Sequence, residues 1–227
     1  MKLRGLLALA LLAAAIAGCD GSRRNDTAVL GGNGQGGGGE QALVDARGRA
    51  IPRPPAPPGT TVQAVRSAED AALAAWVADD HVVASAWTPA TGWSAPEPLE
   101  RIYGESRDVQ LASNGQGQAM AVWHHRVGNI HSLRFSRFDA NGWSLPDVLP
   151  GALPRPAVAG TPAGQDAPQL QMDAQGNVMA QWPSGFHANE LQVARYTAGQ
   201  GWSRAVSEPV ASAPSASPPS PAPSSAR

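Results

Sequence analysis

QLQMDAQGNVMAQW, Gln169 to Trp182, occurs a second time at Gln110 to Trp123 as QLASNGQGQAMAVW, without a gap. Gln, Leu, Gln, Gly, Met, Ala and Trp return at the same offsets. A second anchor follows each copy: Asn141-Gly142-Trp143-Ser144 after Trp123, and Gln200-Gly201-Trp202-Ser203 after Trp182. A worn copy lies upstream, with Trp76 ahead of Thr91-Gly92-Trp93-Ser94. An internal repeat of this kind decides the architecture before any single residue does.

Within the third copy, Leu170 to Met172 reads as a strand and Asp173-Ala174-Gln175-Gly176 as a turn. Val178 to Trp182, Leu191 to Tyr196 and Trp202 to Val206 complete four strands. The second copy gives Leu111 to Ser113, Ala119 to Trp123, Leu133 to Phe138 and Trp143 to Leu145. The first gives Ala64 to Arg66, Ala72 to Trp76, Val82 to Trp87 and Trp93 onward. In the second strand, Ala119, Ala121 and Trp123 share one face, and Met120 and Val122 the other. A strand apolar on both faces is covered on both sides.

Four short antiparallel strands, repeating from Trp93 to Trp143 to Trp202, match a β-propeller blade. The expected fold is therefore all-β, with three blades at about 61–100, 107–150 and 166–210 forming a partial or open propeller. The copies resemble degenerate blade repeats of bacterial propeller proteins, broadly sialidase-like. The aspartate box of that group, Ser-x-Asp-x-Gly-x-x-Trp, is not present: Asp139-Ala140-Asn141-Gly142-Trp143 is only related to it. Three blades fall short of the four to eight that close a ring. An open arc, closure by assembly of several chains, and a curved sandwich all remain open. Exposed edge strands invite pairing, so self-association or a partner strand is expected.

The flanks read differently. Met1 to Gly18 has Lys2 and Arg4 and then an apolar run from Leu6 to Ile16, the pattern of a secretory signal. It ends Ile16-Ala17-Gly18-Cys19, which resembles the lipobox of bacterial lipoproteins. That resemblance implies cleavage before Cys19 and lipidation of its thiol, with fatty-acyl chains such as palmitate holding the chain on a membrane. Asp20 resembles the signal that retains lipoproteins in the inner membrane; without it the outer membrane is implied, in either case facing the periplasm. Residues 19–60 read as a lipidated tether. Gly31 to Gly39 is nearly all glycine, and Pro52, Pro54, Pro55, Pro57 and Pro58 favour extended chain. Val44-Asp45-Ala46-Arg47-Gly48-Arg49-Ala50 echoes Met172 to Val178, and is read as a chance turn sequence. Residues 211–227, rich in Ser, Pro and Ala, are expected to be a disordered tail.

Composition narrows the function classes. Removing Lys2 and Arg4 with the leader takes the formal charge from −1 to −3, leaving no basic field for nucleic acid. Cys19 is the only cysteine, so no intramolecular disulfide forms. Trp76, Trp93, Trp123, Trp143, Trp182 and Trp202 would stack on sugar rings if they lay open, but their fixed offsets fit packing between blades better. His124 and His125 are adjacent and point to opposite faces of a strand. His125 and His131 flank a turn at Gly128-Asn129; these, His81 and His187 read as solvated loop residues, not a metal site. Arg101, Tyr103, Glu105 and Arg107 lie close together, as a sialidase-like site would need, but read as ordinary loop content.

No catalytic residue, metal or cofactor is expected. The sequence points to a non-catalytic, envelope-anchored β-repeat module that binds or scaffolds a protein. The alternative is a glycan or peptidoglycan binder using exposed tryptophan, and a degenerate glycosidase ranks last.

Overall fold

The computed structural model describes residues 27–30, 43–156, 164, 166–185 and 190–209. The leader, Cys19, His187 and the Ser/Pro/Ala tail lie outside the described residues. Among the described residues the fold is all-β and consists of three antiparallel sheets.

The first blade comprises β1 (Thr27–Leu30), β2 (Val62–Ala68), β3 (Ala71–Ala78), β4 (His81–Thr88), β5 (Gly92–Trp93) and β6 (Glu97–Pro98). The second comprises β7 (Glu105–Ser113), β8 (Ala119–Val127), β9 (Ile130–Asp139), β10 (Gly142–Trp143) and β11 (Asp147–Val148). The third comprises β12 (Gln169–Met172), β13 (Val178–Pro183), β14 (Glu190–Thr197), β15 (Gly201–Trp202) and β16 (Val206–Pro209). Each blade runs as a meander, and the three form an open arc in which β7 contacts both β2 and β12; in the first blade β1 adds a strand outside β2.

The single fourth strand expected in each copy is instead two short strands, both paired to the third. The serine of each Gly-Trp-Ser anchor explains the break. The Oγ atoms of Ser94, Ser144 and Ser203 accept the backbone N–H of Ala86, Arg137 and Arg195 at 3.1, 3.0 and 3.0 Å. A side chain thus fills the place of a ladder carbonyl, and Pro96 and Pro146 follow with no N–H to donate. Edge strands of two residues offer little to a pairing chain.

Packing follows the period-two alternation. On β8, Ala119, Ala121 and Trp123 face the first blade, against Leu73, Ala75, Val82 and Ala84. Met120 and Val122 face the third blade, against Val178, Ala180 and Trp182. Each strand tryptophan therefore packs onto the blade before it. Among the described residues no blade precedes Trp76; Leu43, Ile51 and Ala56 cover it.

That contact lies within residues 19–60, the stretch read as a tether. Residues 43–60 pack on the first blade, and β1 pairs with β2 in register Thr27 to Val65. The apolar Leu43 and Ile51 outweigh the surrounding prolines, because they cover an indole that would otherwise face water. The echo at Val44 to Ala50 is also structural. Asp45 Oδ1 accepts the amides of Arg47 and Arg49, both at 2.9 Å, as Asp173 Oδ1 accepts those of Gln175 and Asn177. Gly48 and Gly176 both take positive φ, at 75° and 81°. The first turn is closed by a bridge between Val44 and Ala50 and carries no blade of its own.

Candidate functional site

The first strand of the second blade is where the arc departs from regularity. Pairing of β7 with β8 shifts between Arg107 and Gln110, a bulge that lies beyond the strand expected at Leu111 to Ser113. Asp108 sits in it at φ 53°, a left-handed conformation that aspartate tolerates better than most residues. Bulges of this kind re-aim side chains. A cleft of about 500 Å³ lies at the bulge, between the first and second blades. Thr60, Thr61, Gln63 and Val77 of the first blade form one wall, Ser106 to Gln110 the other, and Gly164 closes one side.

The charges in this cleft are held and balanced. Arg107 pairs with the Asp108 carboxylate, whose Oδ1 also accepts the Gly164 amide at 3.1 Å. Arg107 Nη2 lies 3.4 Å from His124 Nδ1 and donates to the Arg155 carbonyl at 3.4 Å. His124 Nε2 lies 3.0 Å from the Asp166 carbonyl. A carbonyl only accepts, so Nε2 carries the proton and Nδ1 is free to accept from Arg107. Burial first, and then the Arg107 cation, hold the His124 pKa down at about 4. The imidazole is therefore neutral at pH 7 and keeps Arg107 in place.

The residues singled out in the sequence fall as follows. Trp76, Trp123 and Trp182 are exposed by 1%, 0% and 1%, so they offer no ring face to a ligand. Trp93, Trp143 and Trp202 are half-buried. Phe138 meets Trp143 edge-on at 5.2 Å, Tyr196 meets Trp202 at 5.6 Å, and Trp93 donates to the Pro52 carbonyl at 2.7 Å.

His124 and His125 are not loop residues. They extend β8 and are buried, because β7 and β8 pair as far back as Glu105 and Arg126. The Gly128-Asn129 turn brings two strands together but leaves His125 and His131 on opposite faces. His131 pairs across with Arg126, and His125 with Ser132. Among the described residues no group of three His, Cys, Asp or Glu could hold a metal.

Tyr103 is 85% exposed, Glu105 pairs with Arg126 at 2.5 Å, and Arg107 turns into the cleft, so the sialidase-like set does not converge. Asp108, Gln63 and the His124–Asp166 contact carry no sequence signal; the bulge that unites them is visible only as a pairing shift.

No family model and no curated protein sequence matches the chain. Among solved structures it is similar to an asparagine-to-glutamine mutant of the Aleuria aurantia lectin in complex with Fucα1-6GlcNAc. That match has a TM-score of 0.42 and 14% identity over 70% of this chain and 48% of the lectin. The same mutant with α-methyl-L-fucoside gives a TM-score of 0.43 and 14% identity, over 70% and 47%. The chain spans about half the lectin's length.

Proposed function

We propose that this chain is a non-catalytic binding module of the cell envelope, held by lipid at Cys19, whose central cleft takes a neutral, hydroxyl-rich ligand such as a small saccharide. The observation that carries the reading is the Arg107–Asp108 pair in the cleft wall. Side by side it offers charged donors and a charged acceptor, which suits neighbouring hydroxyls that each donate and accept. Because the pair is already balanced, it favours a neutral ligand over an ionic one. Gln63, Ser106 and Gln110 add neutral polar groups, and the volume lies within the range of small-molecule sites. Indole stacking is not part of this reading, since the strand tryptophans are buried.

Asp108→Asn and Gln63→Ala should abolish binding to an array of bacterial-surface saccharides while leaving far-ultraviolet dichroism unchanged. Retention of no saccharide, or unchanged binding by both variants, overturns the reading. A second reading, binding of a protein strand, is favoured by β16, whose four residues are all exposed and whose Val206 is apolar. Cross-linking from Val206 distinguishes it.

A further inference from the structure

The two seams between blades differ in chemistry. In the second, Met120, Val122, Leu133 and Leu149 meet the third blade, and the polar His124 beside them is partnered, lying between Arg107 and the Asp166 carbonyl. The first is apolar only in part. Beside its hydrophobic cluster, His81 at the start of β4, Glu100 after β6, Ser106 on β7, His125 on β8 and Arg134 on β9 come together. The Ser106 hydroxyl donates to Glu100 Oε1. The other polar atoms are left over: His81 Nδ1, Glu100 Oε2, His125 Nε2 and Arg134 Nε are buried without a partner, as are Gln63 Oε1 and Trp123 Nε1. Among the described residues, these are six of the seven such side-chain atoms. Native interiors keep few of them, because each forfeits its hydration. Their concentration in one seam makes that seam the least costly to open, since opening hydrates them all.

His125 is the group most tightly confined there. Its side chain donates to the Tyr103 carbonyl, and a Cβ on Gly104 would lie 2.8 Å from Nε2. The charged groups facing it are Glu100, Arg134 and His81; Asp79 and Asp80 sit in the exposed turn before His81. Burial first lowers the His125 pKa, Arg134 and His81 lower it further, and Glu100 opposes them.

We propose that the first seam is a protonation-operated joint: adding a proton to His125, enclosed beside Gly104, Glu100 and Arg134, parts the first blade from the second and reshapes the cleft that straddles them. The cleft shares Gln63 and Ser106 with the seam. The joint stands without any ligand; its effect on binding rests on the cleft being the binding site.

Two backbone hydrogen bonds report directly on the first seam. The Ser106 amide donates to the Asp80 carbonyl at 2.8 Å, and the Gly117 amide to the Ser67 carbonyl at 2.7 Å. The Ala205 amide, donating to the Pro150 carbonyl at 2.9 Å, reports on the second. Hydrogen exchange of the full chain, followed by NMR and corrected for intrinsic rates, should lose protection several-fold at Ser106 and Gly117 between about pH 7 and about pH 5, where histidine titrates. Ala205 should hold. In the His125→Gln variant the loss should vanish. If that variant does not fold, Glu100→Gln serves: without the opposing carboxylate, the loss must move to lower pH. Equal loss at all three amides, or an unmoved response in the variant, overturns the joint. Saccharide binding measured at both pH values separates the two ideas: a working joint with no binding at either pH defeats the cleft reading alone.

Discussion

Trp182 donates its indole N–H to Gln192 Oε1 at 2.9 Å, whereas Trp123, at the equivalent place one blade earlier, faces Arg134 across the strand and donates to nothing. Gln192 supplies an acceptor where Arg134 supplies only donors. Arg134→Gln should therefore stabilise the domain by about 1 kcal/mol, the net value of one hydrogen bond, in a urea titration. Gln192→Arg should destabilise it by more, because Oε1 also accepts the Leu153 amide at 2.7 Å. An Arg134→Gln variant less stable than wild type would show that the guanidinium holds the seam by a contact not described above.

His124 predicts a second dependence on pH. Its pKa is about 4 in the folded chain against an ordinary 6.5. Between those values the unfolded chain binds the proton and the folded chain does not. The stabilisation is thus complete above pH 6.5 and drains away as the pH falls to about 4, by about 3 kcal/mol at most. Unfolding free energies at about pH 7.5 and about pH 4.5 should differ less in His124→Gln than in wild type, and equal differences would refute the assignment.

The segment over Trp76 acts as a cap. Repeat arrays need something at each end to cover or replace the missing neighbour. Ile51→Ala should cost roughly 2–4 kcal/mol. A fragment beginning at Thr61 should bare Trp76 and associate, while one retaining residues 27–60 should run as a monomer in gel filtration. A well-folded, monomeric Thr61 fragment would contradict the cap.

Each anchor serine closes a gap in its ladder. Ser144→Ala leaves the Arg137 amide without its acceptor and the Leu145 carbonyl without the Ser144 hydroxyl that donates to it at 3.1 Å. A loss of about 1 kcal/mol is expected in chemical denaturation. Ser144→Thr, which keeps the hydroxyl, should restore most of it.

Much of this architecture is legible in the sequence. The Gln-Leu to Trp repeat marks the hairpin of the second and third blades, and the Ala/Trp and Met/Val alternation correctly implies that both faces of β8 are covered. The split outer strand was legible only in retrospect, from the serine after each Gly-Trp and the proline that follows it in the first two copies. The packing of residues 43–60 was obscured because Gly and Pro dominate that stretch, while the two residues that decide it are the isolated Leu43 and Ile51. The cleft was illegible for a different reason. It depends on a pairing shift at Asp108 and on contacts from residues distant in sequence, Gln63, His124 and Asp166, and no local pattern encodes such a meeting.

The proposed ligand site is the cleft between the first two blades. The most direct measurement is an NMR titration of the full chain with a saccharide retained on the array, mapping the amides whose shifts move. The account predicts movement centred on Gln63, Ser106 to Gln110 and Gly164, abolished by Asp108→Asn. Movement centred on β16 or on the outer-edge tryptophans, with Ser106 to Gln110 still, would contradict it.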